Sequence, residues 1–191
     1  GPDPLRAALA LARRFRSPIL RVVVDTADHH PSPDEVVDLL APLLPELEDA
    51  GVCLAIENHD RFPSSVLAGI VERLGSPSIG ICLDTVNSFG ALEGPEVVVE
   101  TLAPWTVNLH VKDFTVRRAA HQMGFAIEGT PAGRGRLDVP WLIERLRAAG
   151  RDPNAILELW TPPEAELADT LAKEDSWARE SVAYLRPLLE P

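Results

Sequence analysis

Short apolar runs alternate with helix-patterned segments along most of the chain. Five β-branched runs predict strands near residues 19–25, 52–57, 78–84, 107–113 and 155–160. Helical spacing with capping signals predicts helices near residues 3–16, 34–50, 65–74, 95–102, 139–149 and 176–189. Strands that alternate with helices indicate βα units and a parallel sheet. Residues 114–137 carry several glycines and predict a long irregular lid or binding loop.

Four metal-binding residue types stand at or near the carboxyl ends of these strands: Glu57, Asp84, His110 and Glu158. Side chains alternate between the two faces of a strand, and in each strand the apolar positions share the face opposite the candidate ligand. This is the pattern of a barrel with helices outside and polar side chains converging inside at the carboxyl end. We therefore predict that the four side chains meet.

Three carboxylates and one imidazole suit one hard or borderline divalent cation. Manganese is our preferred ion, with magnesium, cobalt and zinc as alternatives, whereas a structural zinc site would use more cysteine or histidine. Such an ion would polarise a substrate carbonyl and its neighbouring hydroxyl. Glu57 and Glu158 flank the set in strand order and are our candidates for the acid/base pair. Taken singly, each residue could instead be a salt-bridged strand end, a helix cap or a core histidine.

Other candidates follow from the same alternation. His59 shares the inward face of Glu57, Lys112 that of His110 and Trp160 that of Glu158, so we consider these three as substrate contacts. The alternatives are a loop-capping histidine, a buried ion pair and simple packing.

Two further residues near the predicted long loop could act on the site. Arg117 could recognise a carboxylate or phosphate, or belong to a solvated basic loop. Asp113 could orient a neighbouring side chain or cap a turn.

Composition narrows the class of protein. The 191 residues are 46% hydrophobic and 25% charged, which is typical of a globular domain, and we treat residues 1–191 as one domain. A net charge of −11 disfavours a nucleic-acid partner. No apolar run reaches the roughly 18 residues needed to span a membrane. The two cysteines, Cys53 and Cys82, predict reduced, inward-facing thiols and a cytoplasmic protein.

Five segments together resemble the xylose-isomerase-like TIM barrels, the sugar phosphate isomerase/epimerase superfamily: Ile56-Glu57-Asn58-His59, Leu83-Asp84-Thr85-Val86-Asn87, His110-Val111-Lys112-Asp113, Gly133-Arg134-Gly135-Arg136-Leu137-Asp138 and Leu157-Glu158. The resemblance implies that Glu57, Asp84, His110 and Glu158 bind one divalent cation and that Glu57 and Glu158 form the acid/base pair. It also implies that Asn87 and Arg117 line a substrate pocket, although some relatives carry histidine where Asn87 stands.

The resemblance sets the expected fold class, an α/β protein with the (β/α)8 TIM-barrel architecture. Such barrels have eight strands in about 250 residues, and this chain supplies what look like strands four to eight. We therefore expect a partial barrel that lacks its first three strands. A fragment of a longer protein is our preferred explanation, and completion by another chain is the alternative.

The leading functional hypothesis is a metal-dependent isomerase or epimerase of a sugar or keto-polyol, acting through a metal-stabilised enediolate. The alternative keeps the site but makes it a lyase, a dehydratase or decarboxylase acting on an oxidised sugar. A phosphodiesterase and an inactive sugar-binding module are weaker readings. The expected partner is a small carbohydrate, and a homo-oligomer is compatible with the sequence.

Overall fold

A computed structural model of the protein describes residues 2–26 and 28–190, so Gly1, Ala27 and Pro191 of the predicted domain lie outside it. Five strands form one parallel sheet in the order β1-β2-β3-β4-β7. Their bounds are β1 Ile19–Val22, β2 Cys53–Glu57, β3 Ile79–Asp84, β4 Thr106–Val111 and β7 Asn154–Leu157. A separate antiparallel hairpin joins β5 Asp113–Arg118 to β6 Phe125–Thr130.

Within the described residues, seven α-helices connect and cover the sheet: α1 Pro2–Phe15, α2 Pro33–Leu40, α3 Leu44–Ala50, α4 Ser64–Leu74, α5 Pro95–Leu102, α6 Val139–Ala148 and α7 Leu167–Leu189. None of these helices is long and apolar enough to cross a membrane. Consecutive parallel strands joined through helices make this the TIM-barrel fold, here as a five-stranded partial barrel.

The predicted side-chain alternation determines where the core lies. Side chains on the helix-facing side of the sheet, including Leu54, Ile56, Ile81 and Leu83, are fully buried in the main apolar cluster. Burying each such side chain contributes about 1.5–3 kcal/mol to folding. The opposite face is therefore left for the polar residues.

Several boundaries differ from the sequence prediction. Residues 114–137 are not irregular throughout, because they contain most of the β5–β6 hairpin. The hairpin was missed because its tip is solvent-exposed and lacks a regular apolar alternation. The predicted helix 34–50 is interrupted by a 3₁₀ turn, Ala41–Leu43, because Pro42 and Pro45 have no N–H to donate.

The last helix and the last strand also differ from prediction. Helix α7 starts at Leu167 rather than near residue 176. Only Ser181 and Leu185 of this helix are buried, so the usual apolar stripe is weak. Strand β7 ends at Leu157, and Glu158 follows it while its N–H still donates to the Val111 carbonyl.

A β-bulge in β4 alters one predicted orientation. Ile81 pairs with Thr106 but Cys82 pairs with Asn108, so Val107 is an extra residue in the ladder. A Cβ at Gly80 would lie 2.7 Å from Val107 Cγ1, which places Val107 on the inner side rather than beside Leu109 and Val111. The absence of a side chain at Gly80 makes room for the bulge.

We predict that Gly80→Ala destabilises the protein by about 1–3 kcal/mol, because the added methyl group overlaps Val107. Urea unfolding of the single variants and of Gly80→Ala/Val107→Ala measures the coupling, and the second substitution should recover part of the loss. Gly69→Ala is the matched control: its Cβ meets nothing within 4 Å on helix α4, so it should stabilise by about 0.5–1 kcal/mol. Equal effects at both glycines would contradict the overlap.

Candidate metal centre

Four side chains from four parallel strands converge at the carboxyl edge of the sheet. The strand register aligns Asp84 with His110 and Glu57 with Cys82, which brings the strand ends to one level. His110 Nδ1 lies 2.7 Å from a Glu158 oxygen and 3.9 Å from oxygens of both Glu57 and Asp84. One ligand atom from each of the four residues lies within 4.8 Å of all the others. One cation could therefore contact all four.

Three buried atoms of this cluster lack a well-aligned hydrogen bond. Glu57, Asp84 and His110 are 2%, 0% and 4% exposed. Among the described residues, Glu57 Oε2, Asp84 Oδ2 and His110 Nδ1 have no partner with hydrogen-bond geometry. Each has a charged neighbour at 2.7–2.9 Å, but none of these contacts has hydrogen-bond geometry. Buried polar atoms are normally satisfied, so atoms that face one another without aligned partners suit a ligand that accepts lone pairs. The donor set fits a divalent cation.

Asp84 and Asn58 are fixed by backbone contacts. Asp84 Oδ1 accepts hydrogen bonds from the N–H groups of Val86 and Asn87, which leaves Oδ2 facing His110. The Asn58 amide, fully buried, donates to the Asp84 carbonyl at 2.9 Å and accepts from the Asp84 N–H at 2.7 Å. Asn58 therefore joins the ends of β2 and β3. The one sequence signal for this role of Asn58 is its place directly after Glu57.

Lys112 carries a positive charge into the cluster. Its Nζ lies 2.9 Å from Asp84 Oδ2 and 3.1 Å from Glu158 Oε1, and it donates to Asn87 Oδ1 at 3.1 Å. Burial alone would lower the pKa of Lys112, but the neighbouring carboxylates of Asp84 and Glu158 outweigh it and raise that pKa. The buried ion pair considered as an alternative for Lys112 is therefore present, and its contact with substrate stays a prediction.

Glu57 is held from two sides. Asn87 Nδ2 donates to Glu57 Oε1 at 2.7 Å, and Arg21 Nε lies 2.9 Å from Glu57 Oε2. Arg21 was missed in the sequence, although it is the one charged residue in the apolar run of β1. Asn87 links Glu57 to Lys112, and its role in lining a substrate pocket stays a prediction.

Glu158 is the most accessible member of the cluster, with 38% of its side chain exposed. Burial tends to raise its pKa, but the hydrogen bond and charge of Lys112 lower that pKa overall. Glu158, His110 and Arg21 line an open cavity of about 450 Å³ on the inner face of the sheet, which also reaches Ile19 and Asn154 at the amino ends of β1 and β7.

Three other predicted substrate contacts have partners of their own. His59 Nδ1 lies 3.2 Å from Asp60 Oδ1, and Arg117 is paired with Glu128 across the hairpin. Trp160 donates from Nε1 to the Asp113 carbonyl at 3.2 Å. None of the three contacts the four-residue cluster in the described interactions, so their roles in substrate binding stay predictions.

Asp113 organises the loop beside the centre, which agrees with the turn-capping alternative. Its carboxylate accepts four backbone N–H groups: Phe114 and Leu137 bond to Oδ1, and Gly133 and Gly135 to Oδ2. The carboxylate would clash with any side chain at Gly135. This close contact explains why residue 135 of the Gly133–Asp138 segment is a glycine.

Both cysteines are free thiols. Cys82 lies below Asp84 on the inner face of β3 and is fully buried. Burial, reinforced by the Glu57 carboxylate, raises the pKa of Cys82 to about 12. The thiol is therefore neutral at physiological pH.

Comparison with known proteins identifies the family. The sequence pattern of the xylose isomerase-like TIM barrels matches residues 3–188. The chain belongs to this family. Over 183 residues it is 37% identical to the 3-oxo-isoapionate decarboxylase of Pectobacterium atrosepticum, which corresponds to 96% of this chain and 66% of that protein. The chain thus spans just under two thirds of that relative's length.

Solved structures of the family share the fold at low sequence identity. A D-psicose 3-epimerase determined in the presence of D-fructose superimposes with a TM-score of 0.73 at 17% identity, covering 100% of this chain and 71% of that one. A xylose isomerase-like protein from Mycobacterium smegmatis in complex with magnesium gives 0.67 at 12% identity, covering 95% and 65%.

We predict that Asp113→Asn destabilises the protein by roughly 3 kcal/mol, because the new amide NH₂ would face the N–H groups of Gly133 and Gly135. Hydrogen exchange of these two amides should accelerate. Asp138→Asn is the matched control in the same loop: it caps α6 through the Trp141 N–H, and asparagine caps equally well. Unchanged exchange in Asp113→Asn would contradict the assigned role.

Proposed function

We propose that this chain forms the metal-binding part of a lyase that decarboxylates a 3-oxo sugar acid. The supporting observation is the convergence of Glu57, Asp84, His110 and Glu158 within 4.8 Å, in a chain 37% identical to a 3-oxo-isoapionate decarboxylase. From the sequence, such a lyase is the alternative to an isomerase or epimerase. Because the chain spans 66% of that relative, substrate and reaction are inferred for the whole protein that contains it.

The chemistry of a 3-oxo acid fits the centre. Its ketone lies β to the carboxylate, so the carbon–carbon bond can break when its electron pair moves towards the ketone oxygen. A divalent cation held by the four side chains would polarise that ketone. Magnesium and manganese both accept such oxygen-rich ligands, and we keep manganese as the preferred ion.

Glu158, Glu57 and Lys112 would have different roles in the reaction. Departure of carbon dioxide leaves a carbon that must gain one proton. Glu158 is the accessible carboxylate beside the cavity, and because its pKa is lowered it would take that proton from solvent and pass it to the carbon. Glu57 is buried and held in place by Arg21 and Asn87, which suits a fixed metal ligand rather than a group that moves a proton. Lys112 next to Glu158 supplies a positive charge for an anionic substrate. One mobile proton is enough for decarboxylation.

An isomerase or epimerase is the second candidate. It needs two groups that exchange protons with adjacent carbons, and Glu57 and Glu158 both lie next to His110. The fold shared with a D-psicose 3-epimerase is compatible with it. The restraint on Glu57 makes this two-base chemistry less favourable than a single proton transfer.

The cellular setting is part of the same proposal. Two free thiols agree with a reducing, cytoplasmic location. A small carbohydrate acid is the proposed partner, and the net charge of −11 gives no support for a nucleic-acid partner.

Product analysis separates the two reactions. The protein, loaded with manganese, is incubated with 3-oxo sugar acids and with ketoses in D₂O, and products are followed by NMR and by carbon dioxide release. Release of carbon dioxide with one deuterium at the new C–H position is expected. Ketose epimerisation without gas release would support the second candidate and contradict the first.

We predict that Glu158→Gln lowers kcat by about 10²–10⁴-fold at saturating manganese, because the amide cannot take up and pass on a proton. Steady-state carbon dioxide release measures the effect. Glu100→Gln removes an equivalent charge on helix α5, where Glu100 pairs with Arg145, and should leave kcat unchanged. Full activity of Glu158→Gln would remove Glu158 from the mechanism.

We also predict that Asp84→Asn weakens manganese binding at least about tenfold, because it replaces a buried anionic ligand with a neutral one. Electron paramagnetic resonance of free manganese gives the affinity. The matched control is Asp34→Asn, which alters a surface ion pair with Arg73. Equal affinities in the two variants would place the cation elsewhere.

A further inference from the structure

A second set of possible metal ligands shares two residues with the metal centre and lies one layer of side chains deeper in the sheet. Cys82 lies two residues before Asp84 on the same face of β3, and its register partner on β2 is Glu57. Glu57, Cys82 and His110 each offer a ligand atom, and these atoms lie within 4.8 Å of one another. All three residues are buried.

The neighbour of the thiol supplies an independent observation. Asn108 donates from Nδ2 to Cys82 Sγ at 3.6 Å, which places the amide against the sulfur. Asn108 is 4% exposed, and its Oδ1 has no hydrogen-bond partner among the described residues. The residue that contacts the thiol therefore also carries a buried, unpaired oxygen acceptor, and it is not one of the four residues of the metal centre.

We propose that Glu57, Cys82 and His110 form a second binding mode that holds a thiophilic divalent cation such as zinc or cadmium. Thiolate sulfur selects soft metals, whereas carboxylate oxygen suits magnesium and manganese. The Cys82 thiol loses its proton to solvent when the metal–sulfur bond forms. Because both modes use Glu57 and His110, they exclude each other. This inference concerns the metal centre of the proposed function but requires no turnover.

The mode has a functional consequence. A cation held by Glu57, Cys82 and His110 would use a donor set that leaves out Asp84 and Glu158, so it would displace the cation shared by all four residues. Zinc or cadmium would then compete with manganese and inhibit. Asn108 is the adjacent group whose amide can turn its free oxygen towards the metal.

The experiment uses cadmium as the probe. The chain is titrated with cadmium, and the ultraviolet sulfur-to-cadmium charge-transfer band is recorded with X-ray absorption of the cadmium shell. Cys53→Ser is the matched control, because Cys53 lies at the start of β2 and is absent from both donor sets. This variant leaves Cys82 as the only thiol, so it should keep the band and one sulfur neighbour.

Cys82→Ser should lose the band and bind cadmium at least about tenfold more weakly, since a direct ligand is removed. It should retain its manganese affinity, which also reports that the centre is folded. If Cys82→Ser does not fold, the Cys53→Ser spectrum alone decides. A cadmium shell without sulfur in Cys53→Ser overturns the proposal, as does a band that survives in folded Cys82→Ser.

The two proposals can fail separately. A sulfur–cadmium band without any decarboxylation contradicts only the proposed function. Carbon dioxide release with manganese but no sulfur–cadmium band contradicts only the second binding mode.

Discussion

Electrostatic repulsion among three carboxylates is the constraint around which this structure is built. At a separation of 4.8 Å two unit charges repel by about 3 kcal/mol at an effective dielectric constant near 20. Glu57, Asp84 and Glu158 carry three negative charges, and Lys112 and Arg21 offset two of them. A folded sheet that places these groups together must be stabilised by its apolar outer face.

Lys112 and Arg21 neutralise the three carboxylates incompletely, and their hydrogen-bond geometry with these carboxylates is also poor. Arg21 and Lys112 approach Glu57 and Asp84 closely, yet the facing oxygens receive no well-aligned hydrogen bond. A centre built only as a buried ion-pair network would normally satisfy these acceptors. A divalent cation would supply the missing positive charge, and it would also accept the lone pairs of the oxygens that have no aligned hydrogen bond. This is why the cluster is better explained as a binding site than as a structural network.

The sequence predicted the parallel sheet and the convergence of Glu57, Asp84, His110 and Glu158, because alternation along a strand determines which side chains share a face. It did not predict the inward position of Val107, since a one-residue bulge depends on the missing side chain at Gly80. Arg21 was overlooked because a single polar residue in a short strand has no pattern of its own. The hairpin was missed because an exposed strand pair lacks apolar alternation.

Proteins of one fold can catalyse different reactions. What distinguishes the candidates here is the unequal treatment of the two glutamates: Glu57 is fixed by Arg21 and Asn87, whereas Glu158 borders the cavity. A reaction needing one mobile proton matches this asymmetry better than one needing two. The lyase proposal therefore rests on local restraint as well as on resemblance.

The most direct measurement is an anomalous diffraction map from crystals soaked in manganese. The account predicts one strong peak at about 2.0–2.6 Å from atoms of Glu57, Asp84, His110 and Glu158. A map with no peak at that position, with Lys112 and Arg21 still paired to the carboxylates at full manganese saturation, would contradict it.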